Sequence, residues 1–209
     1  MRVALFGGSF DPPHHGHLAI ATAAANGFQL DTVLFAPAGR QPLKLDGPVT
    51  SFEDRLAMVE LACLEDSRFE ASELDAPRPD GAPNYTVETL SVLLKRMPAA
   101  KLFNLVGADS FLGLSRWYEP ERLLELAEWI VVSRPGFPIG DLSSLGLDAH
   151  QQSRVHMLGN VHDDTAATEL RQRLETGDPC TDLISPGILD YIQSHHLYRT
   201  DSADPSRAF

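Results

Sequence analysis

The stretch Gly7-Gly8-Ser9-Phe10-Asp11-Pro12-Pro13-His14-His15-Gly16-His17 constrains this chain more than any other. It follows an apolar run at residues 2–6 that reads as a strand, and it leads into residues 16–25, which are mostly small and helix-tolerant. Asn26-Gly27 then reads as the helix stop. Glycines between a strand and a helix let the backbone approach a phosphate closely and leave N–H groups free to point at it. Pro12-Pro13 stiffens the turn, and His14 and His17 fall on either side of Gly16 at the helix start. Imidazoles there can donate to a polyphosphate, and protonation adds positive charge as the phosphate approaches. Solvated surface histidines or a metal site would account for the histidines alone. Neither accounts for the joint pattern of strand, glycine pair, Asp-Pro and His-x-Gly-His. Two commoner nucleotide loops are excluded. Walker A, Gly-x4-Gly-Lys-Ser/Thr, is absent, and Phe10 occupies the second-glycine position of a dinucleotide fingerprint counted from Gly8.

Beyond this unit, strands are expected at residues 32–35, 69–71, 102–106, 129–132 and 155–158. Helices are expected at 86–96, 121–127, 168–174 and 188–194. A further helix running to about residue 64 opens on a Thr50/Glu53 capping box, with Phe52, Leu56, Val59 and Cys63 on one face. Residues 76–83, rich in proline, and 137–152 read as loops, and the polar residues 201–209 are expected to fray. Strands alternating with helices predict an α/β fold, a Rossmann-like parallel sheet with helices on both faces. The expected organisation is one domain over residues 1–200, with the ligand beyond the carboxyl ends of the strands.

With 17 Lys and Arg against 29 Asp and Glu, the net charge is −12. Such a chain is a poor general binder of nucleic acid and repels anions at long range. A phosphate ligand therefore requires cations gathered locally. Arg40, Lys44, Arg134 and Arg171, with His14 and His17, lie in segments expected at one sheet edge. Cys63 and Cys180 form neither a disulfide framework nor a metal-ligand spacing. No apolar run reaches the ~18 residues of a membrane span, and no signal peptide is recognisable, so a cytoplasmic location is the default expectation.

The first motif resembles the (His/Thr)-x-Gly-His signature of the nucleotidylyltransferase superfamily. Its longer form is similar to that of the bacterial nicotinate-mononucleotide adenylyltransferases. The resemblance continues in order to about Arg199. Pro37-Ala38-Gly39-Arg40-Gln41-Pro42-Leu43-Lys44 resembles a family loop that commonly ends Pro-His-Lys, with Leu43 in place of the histidine. Asn84-Tyr85-Thr86-Val87-Glu88-Thr89-Leu90 resembles the Tyr-Thr-(Val/Ile)-(Asp/Glu)-Thr stretch. Gly107-Ala108-Asp109-Ser110, Ser115-Arg116-Trp117-Tyr118 and Ser133-Arg134-Pro135-Gly136 also match. Thr165-Ala166-Ala167-Thr168-Glu169-Leu170-Arg171 aligns with Ile-Ser-Ser-Thr-x-(Ile/Leu)-Arg, with alanine at both serines. The closing Pro186-Gly187-Ile188-Leu189-Asp190-Tyr191-Ile192 and His196-Leu197-Tyr198 read as packing.

The resemblance implies transfer of the adenylyl group of ATP to nicotinate mononucleotide, with release of pyrophosphate, as a step of NAD biosynthesis. Mg²⁺ would arrive with ATP. His14, His17, Lys44 and Arg171 would be the catalytic cations. Gly7, Gly8, Ser9, Phe10, Gly16, Gly107, Asp109 and Thr168 would line the ATP side. Tyr85, Thr86, Trp117 and Arg134 would receive the mononucleotide, with Trp117 stacked on the pyridine ring. No resident metal site, membrane contact or nucleic-acid partner is implied, and both monomer and homodimer stay open. The alternatives are a different acceptor, such as nicotinamide mononucleotide or phosphopantetheine, and a non-catalytic nucleotide-binding regulator. A nicotinamide-dependent oxidoreductase fails on the absent glycine fingerprint.

Overall fold

Six short apolar segments, each broken by glycine, proline or a polar turn, assemble into one parallel sheet in a computed structural model describing residues 1–42, 47–133, 145–159, 161 and 167–199. The strands are β1 (Arg2–Gly8), β2 (Thr32–Pro37), β3 (Phe69–Ala71), β4 (Lys101–Gly107), β5 (Glu128–Val132) and β6 (Val155–Leu158). The helices are α1 (His15–Gly27), α2 (Phe52–Cys63), α3 (Thr86–Arg96), α4 (Ala108–Leu112), α5 (Pro120–Leu126), α6 (Ala149–Ser153), α7 (Ala167–Glu175) and α8 (Pro186–Ser194). A 3-10 turn, Leu114–Arg116, follows α4.

The strand order is β3-β2-β1-β4-β5-β6, and every pair is parallel. The order reverses between β1 and β4, and the crevice outside the carboxyl ends of these two strands is where open α/β sheets bind ligands. Alternate residues of each strand face opposite layers. Ala4, Phe6, Val33, Phe35, Phe103 and Leu105 pack with α1, α2, α7 and α8. Val3, Leu5, Leu34, Leu102, Val106 and Trp129 pack with α3, α4 and α5. Helices therefore cover both faces, as expected. Among the described residues, no helix is long and apolar enough to cross a membrane.

Several local expectations are corrected. Gly27 lies inside α1, and the left-handed residue beyond the helix is Gln29, at φ 50°. The α2 cap is Ser51, whose hydroxyl accepts from the Asp54 N–H at 3.0 Å. Thr50 is drawn elsewhere because its hydroxyl donates to Asp11. The buried face of α2 is Arg55, Met58, Val59 and Ala62, so an arginine occupies a position that hydropathy assigns to solvent. α4, the 3-10 turn and α6 carry too few periodic apolar residues to announce themselves. α6 replaces the end of the expected 137–152 loop, whose residues 137–144 lie outside the described residues.

Candidate active site

The end of β1 shapes the floor. Gly7 and Gly8 pair with Ala36 and Pro37 of β2, and the Ala38 N–H donates to the Gly8 carbonyl at 2.8 Å. A Cβ at Gly8 would stand 3.0–3.3 Å from the Phe10 ring, so a side chain there would press on the core. Phe10 adopts φ 49° and is 1% exposed. Its ring meets Phe6 at 5.4 Å, Phe35 at 5.5 Å and His17 at 4.9 Å. The Phe10 ring is therefore spent on packing.

His14 caps α1 from extended backbone and is 3% exposed. His17 sits one turn on, half-buried, with the two ring centroids 3.8 Å apart. The His14 N–H donates to His17 Nδ1 at 3.3 Å. An Nδ1 that accepts carries no proton, which leaves the proton of a neutral His17 ring on Nε2. His15 is exposed and anchored, its N–H donating to the Leu183 carbonyl at 2.8 Å. Gly16 is buried within α1.

A helix distant in sequence brings in a further cation. Arg171 of α7 donates from Nη1 to the Asp11 carbonyl at 2.8 Å and from Nη2 to the Thr168 hydroxyl at 3.3 Å. The guanidinium is thereby fixed against the loop that carries the histidines. Ala167 opens this helix, and Ala166 lies outside the described residues. Lys44 and Arg134 lie outside them too. Arg40 does not join the cluster. It is exposed, and its Nη1 donates to the Gly81 carbonyl at 2.7 Å.

That contact gives the proline-rich loop a structural task. Arg40 and Asn84 exchange backbone and side-chain bonds at 3.0 Å, and Asn84 Nδ2 donates to the Ala76 carbonyl at 2.9 Å. Residues 77–83 are thus fastened to the loop after β2. Gly39 lies under the same junction, and a Cβ there would overlap Pro77 N at 2.5 Å.

On the other side of the β1 end, Tyr85 caps α3, Thr86 opens it, and the Tyr85 ring packs on Tyr118 at 4.6 Å. Trp117 is half-buried, edge-on to the buried Trp129 at 5.7 Å. Gly107 ends β4 and caps α4, and the exposed Asp109 folds its carboxylate back over Gly107. The two sides are joined by Asp75. Its carboxylate accepts from the Thr89 hydroxyl of α3, its carbonyl accepts from the Gly39 N–H at 2.7 Å, and Oδ2 lies by Gly7. Burial pushes the Asp75 carboxyl above its ordinary range, against the opposing hydrogen bond from Thr89.

Four buried polar groups escape a reading of the sequence. Arg55, 1% exposed, donates to the Ser9 carbonyl at 2.7 Å and the Ala38 carbonyl at 2.9 Å. Asp11, 2% exposed, accepts from Val49 N–H, the Thr50 hydroxyl and the Tyr198 hydroxyl, each at 2.6 Å. Asp75 and Thr89 complete the set. The available signal was Arg55 itself, at helical spacing from Met58, Val59 and Ala62 on an otherwise apolar stripe. Among the described residues, no group of three or more His, Cys, Asp or Glu could hold a metal ion.

Comparison with known proteins shows the family and the fold. Residues 5–174 match the cytidylyltransferase-like family. A protein of Leifsonia xyli subsp. xyli called "Probable nicotinate-nucleotide adenylyltransferase" is 40% identical over 95% of this chain and 94% of its own. One of the same name from Roseiflexus castenholzii is 41% identical over 95% and 98%. Plasmodium falciparum nicotinic acid mononucleotide adenylyltransferase has been solved complexed with APC and with NaAD. Those structures superpose with TM-scores of 0.75 and 0.76 at 19% identity, over 94% of this chain and 96% and 97% of theirs, a likeness of fold. Matched over most of its length and about two-fifths identical to end-to-end relatives, the chain belongs to the cytidylyltransferase-like family, beside proteins called nicotinate-nucleotide adenylyltransferases.

Proposed function

We propose that this protein transfers the adenylyl group of MgATP to nicotinate mononucleotide, giving deamido-NAD and pyrophosphate. The observation that carries the reading is the convergence of His14, His17 and Arg171 on the loop after β1, at the switch in strand order. The names of the relatives supply the acceptor. In the reaction, a 5′-phosphate oxygen of the mononucleotide attacks the α-phosphorus of ATP in line. The bond from that phosphorus to the bridging oxygen breaks, and pyrophosphate leaves with the electron pair. Such a transfer needs positioning and charge neutralisation rather than a protein nucleophile.

The His17 Nε2–H, held in place by the His14 N–H on its other nitrogen, donates to the α- or β-phosphate as charge moves toward pyrophosphate. His14 and Arg171 hold the remaining phosphates. Mg²⁺ belongs to the substrate, arriving on the phosphate oxygens. The opening N–H groups of α3 receive the nicotinate carboxylate, and Trp117 offers its face to the pyridinium, a cation–π contact of about 1 kcal/mol. Trp129 braces that ring from its edge.

The test is pyrophosphate release from MgATP with nicotinate or nicotinamide mononucleotide at equal concentration. Strong preference for the acid is expected. Equal or reversed preference overturns the acceptor, and no release with either overturns the catalytic reading.

A further inference from the structure

We propose that Tyr198, close to the carboxyl end of the described chain, is a positioning residue for the ATP site, acting through the carboxylate of Asp11. The proposal rests on reading the loop after β1 as the ATP site. Its own basis is the geometry around Asp11. That residue lies between the glycine pair and the histidines, and its backbone carbonyl is the acceptor that fixes Arg171. The orientation of Asp11 therefore sets both the path of the loop into α1 and the place of the guanidinium.

Three donors from two segments hold the Asp11 side chain. Oδ2 accepts from the Val49 N–H at 2.6 Å, while Oδ1 accepts from the Thr50 hydroxyl and the Tyr198 hydroxyl, each at 2.6 Å. Asp11 is 2% exposed and Tyr198 6% exposed, so solvent has little room to replace a lost donor. Tyr198 also adopts φ 58°, two residues after His196 at φ 55°. Bulky residues hold left-handed backbone only where their surroundings fix it. The backbone at Tyr198 is thus turned to deliver this hydroxyl inward. Tyr191 of α8 provides a contrast, because its hydroxyl donates to Asp54 at 3.0 Å instead.

Tyr198→Phe removes one oxygen and keeps the ring. The readouts are calorimetric Kd for MgATP, steady-state KM for each substrate, and the thermal midpoint. The expected result is ATP affinity weakened about ten-fold or more, the scale of a lost hydrogen bond to a charged group. The mononucleotide KM stays within about two-fold, because α3 is not moored to Asp11. Thr50→Val, which strips the same carboxylate oxygen from another segment, should weaken ATP similarly. The double variant should fall short of the product of the two effects. Tyr191→Phe should leave ATP affinity unchanged. An unaltered ATP Kd in Tyr198→Phe overturns the proposal, as does a parallel loss for both substrates that follows the folded fraction. Should Tyr198→Phe fail to fold, an unaltered ATP Kd in Thr50→Val overturns it. A wild-type protein that binds no ATP would overturn the site reading itself. ATP binding without pyrophosphate release would overturn only the catalytic reading, and the Kd comparison would still decide the role of Tyr198.

Discussion

Replacing Arg55 with methionine keeps length and removes charge, so it isolates what the buried guanidinium does. The side chain joins the Ser9 carbonyl, in the loop after β1, to the Ala38 carbonyl, in the loop after β2. Each carbonyl left without its donor costs about 1–3 kcal/mol. Against that stands the release of a buried charge, and burial already pulls the Arg55 pKa down, opposed by Asp11, Tyr198 and Glu53. The difference leaves a net loss of about 2–4 kcal/mol. For a domain this size that is roughly 5–15 °C in Tm. Urea unfolding with an unchanged m-value would read the loss as stability. Because the two loops flank the proposed ATP site, the KM for ATP should rise as well. Arg55→Lys should also destabilise, since one compact ammonium lacks the fork that spans two acceptors. Arg55→Met within about 0.5 kcal/mol of wild type, with ATP KM unchanged, would refute the reasoning.

His17→Ala should lower the kcat of pyrophosphate release about 10²-fold or more, the scale for losing a transition-state donor, with the folded fraction unchanged. Turnover near that of wild type would remove His17 from the mechanism. Trp117→Ala should raise the mononucleotide KM about five-fold while leaving the ATP Kd alone, the reverse of the split expected for Tyr198→Phe. At the far end of the sheet, partial burial pushes the Glu128 carboxyl up. Hydrogen bonds from Lys101 at 2.8 Å and His156 at 2.7 Å outweigh this and hold it below the ordinary range. A folded pKa lower than the unfolded one means stability that is fully present above the unfolded value, about 4.3, and lost as pH falls through the folded one. Stability measured from pH 6 to pH 3 should therefore fall less steeply in Glu128→Gln, and an unchanged slope would count against the pairing.

The parts of this fold that hydrophobic period announces were legible. Val3-Ala4-Leu5-Phe6 can satisfy its pattern only as a strand buried on both faces, and the alternation of such runs with helices yields the observed layers. The histidines were legible because their chemistry and their spacing from Gly16 are local. What could not be read is the polar scaffold that puts those local pieces in register. Asp11 and Tyr198 are separated by most of the chain, and Arg55 and Ala38 by part of a helix and a loop, so no window of sequence contains either pair. Their types misled as well. An arginine in α2 and a threonine in α3 look like solvent-facing residues until the fold buries them.

The division has a physical reason. A phosphate loop needs its reactive groups at fixed offsets from a helix start, and that requirement is written as a motif. Holding the loop still needs only a donor or acceptor at one point in space, which any segment passing that point can supply. In this chain the supply comes from α2, the loop before it, α7 and the carboxyl-terminal turn. Those four segments share no motif. Each nevertheless ends on a backbone carbonyl or carboxylate within residues 9–11, which is why changes far from the histidines in sequence should register first in ATP affinity.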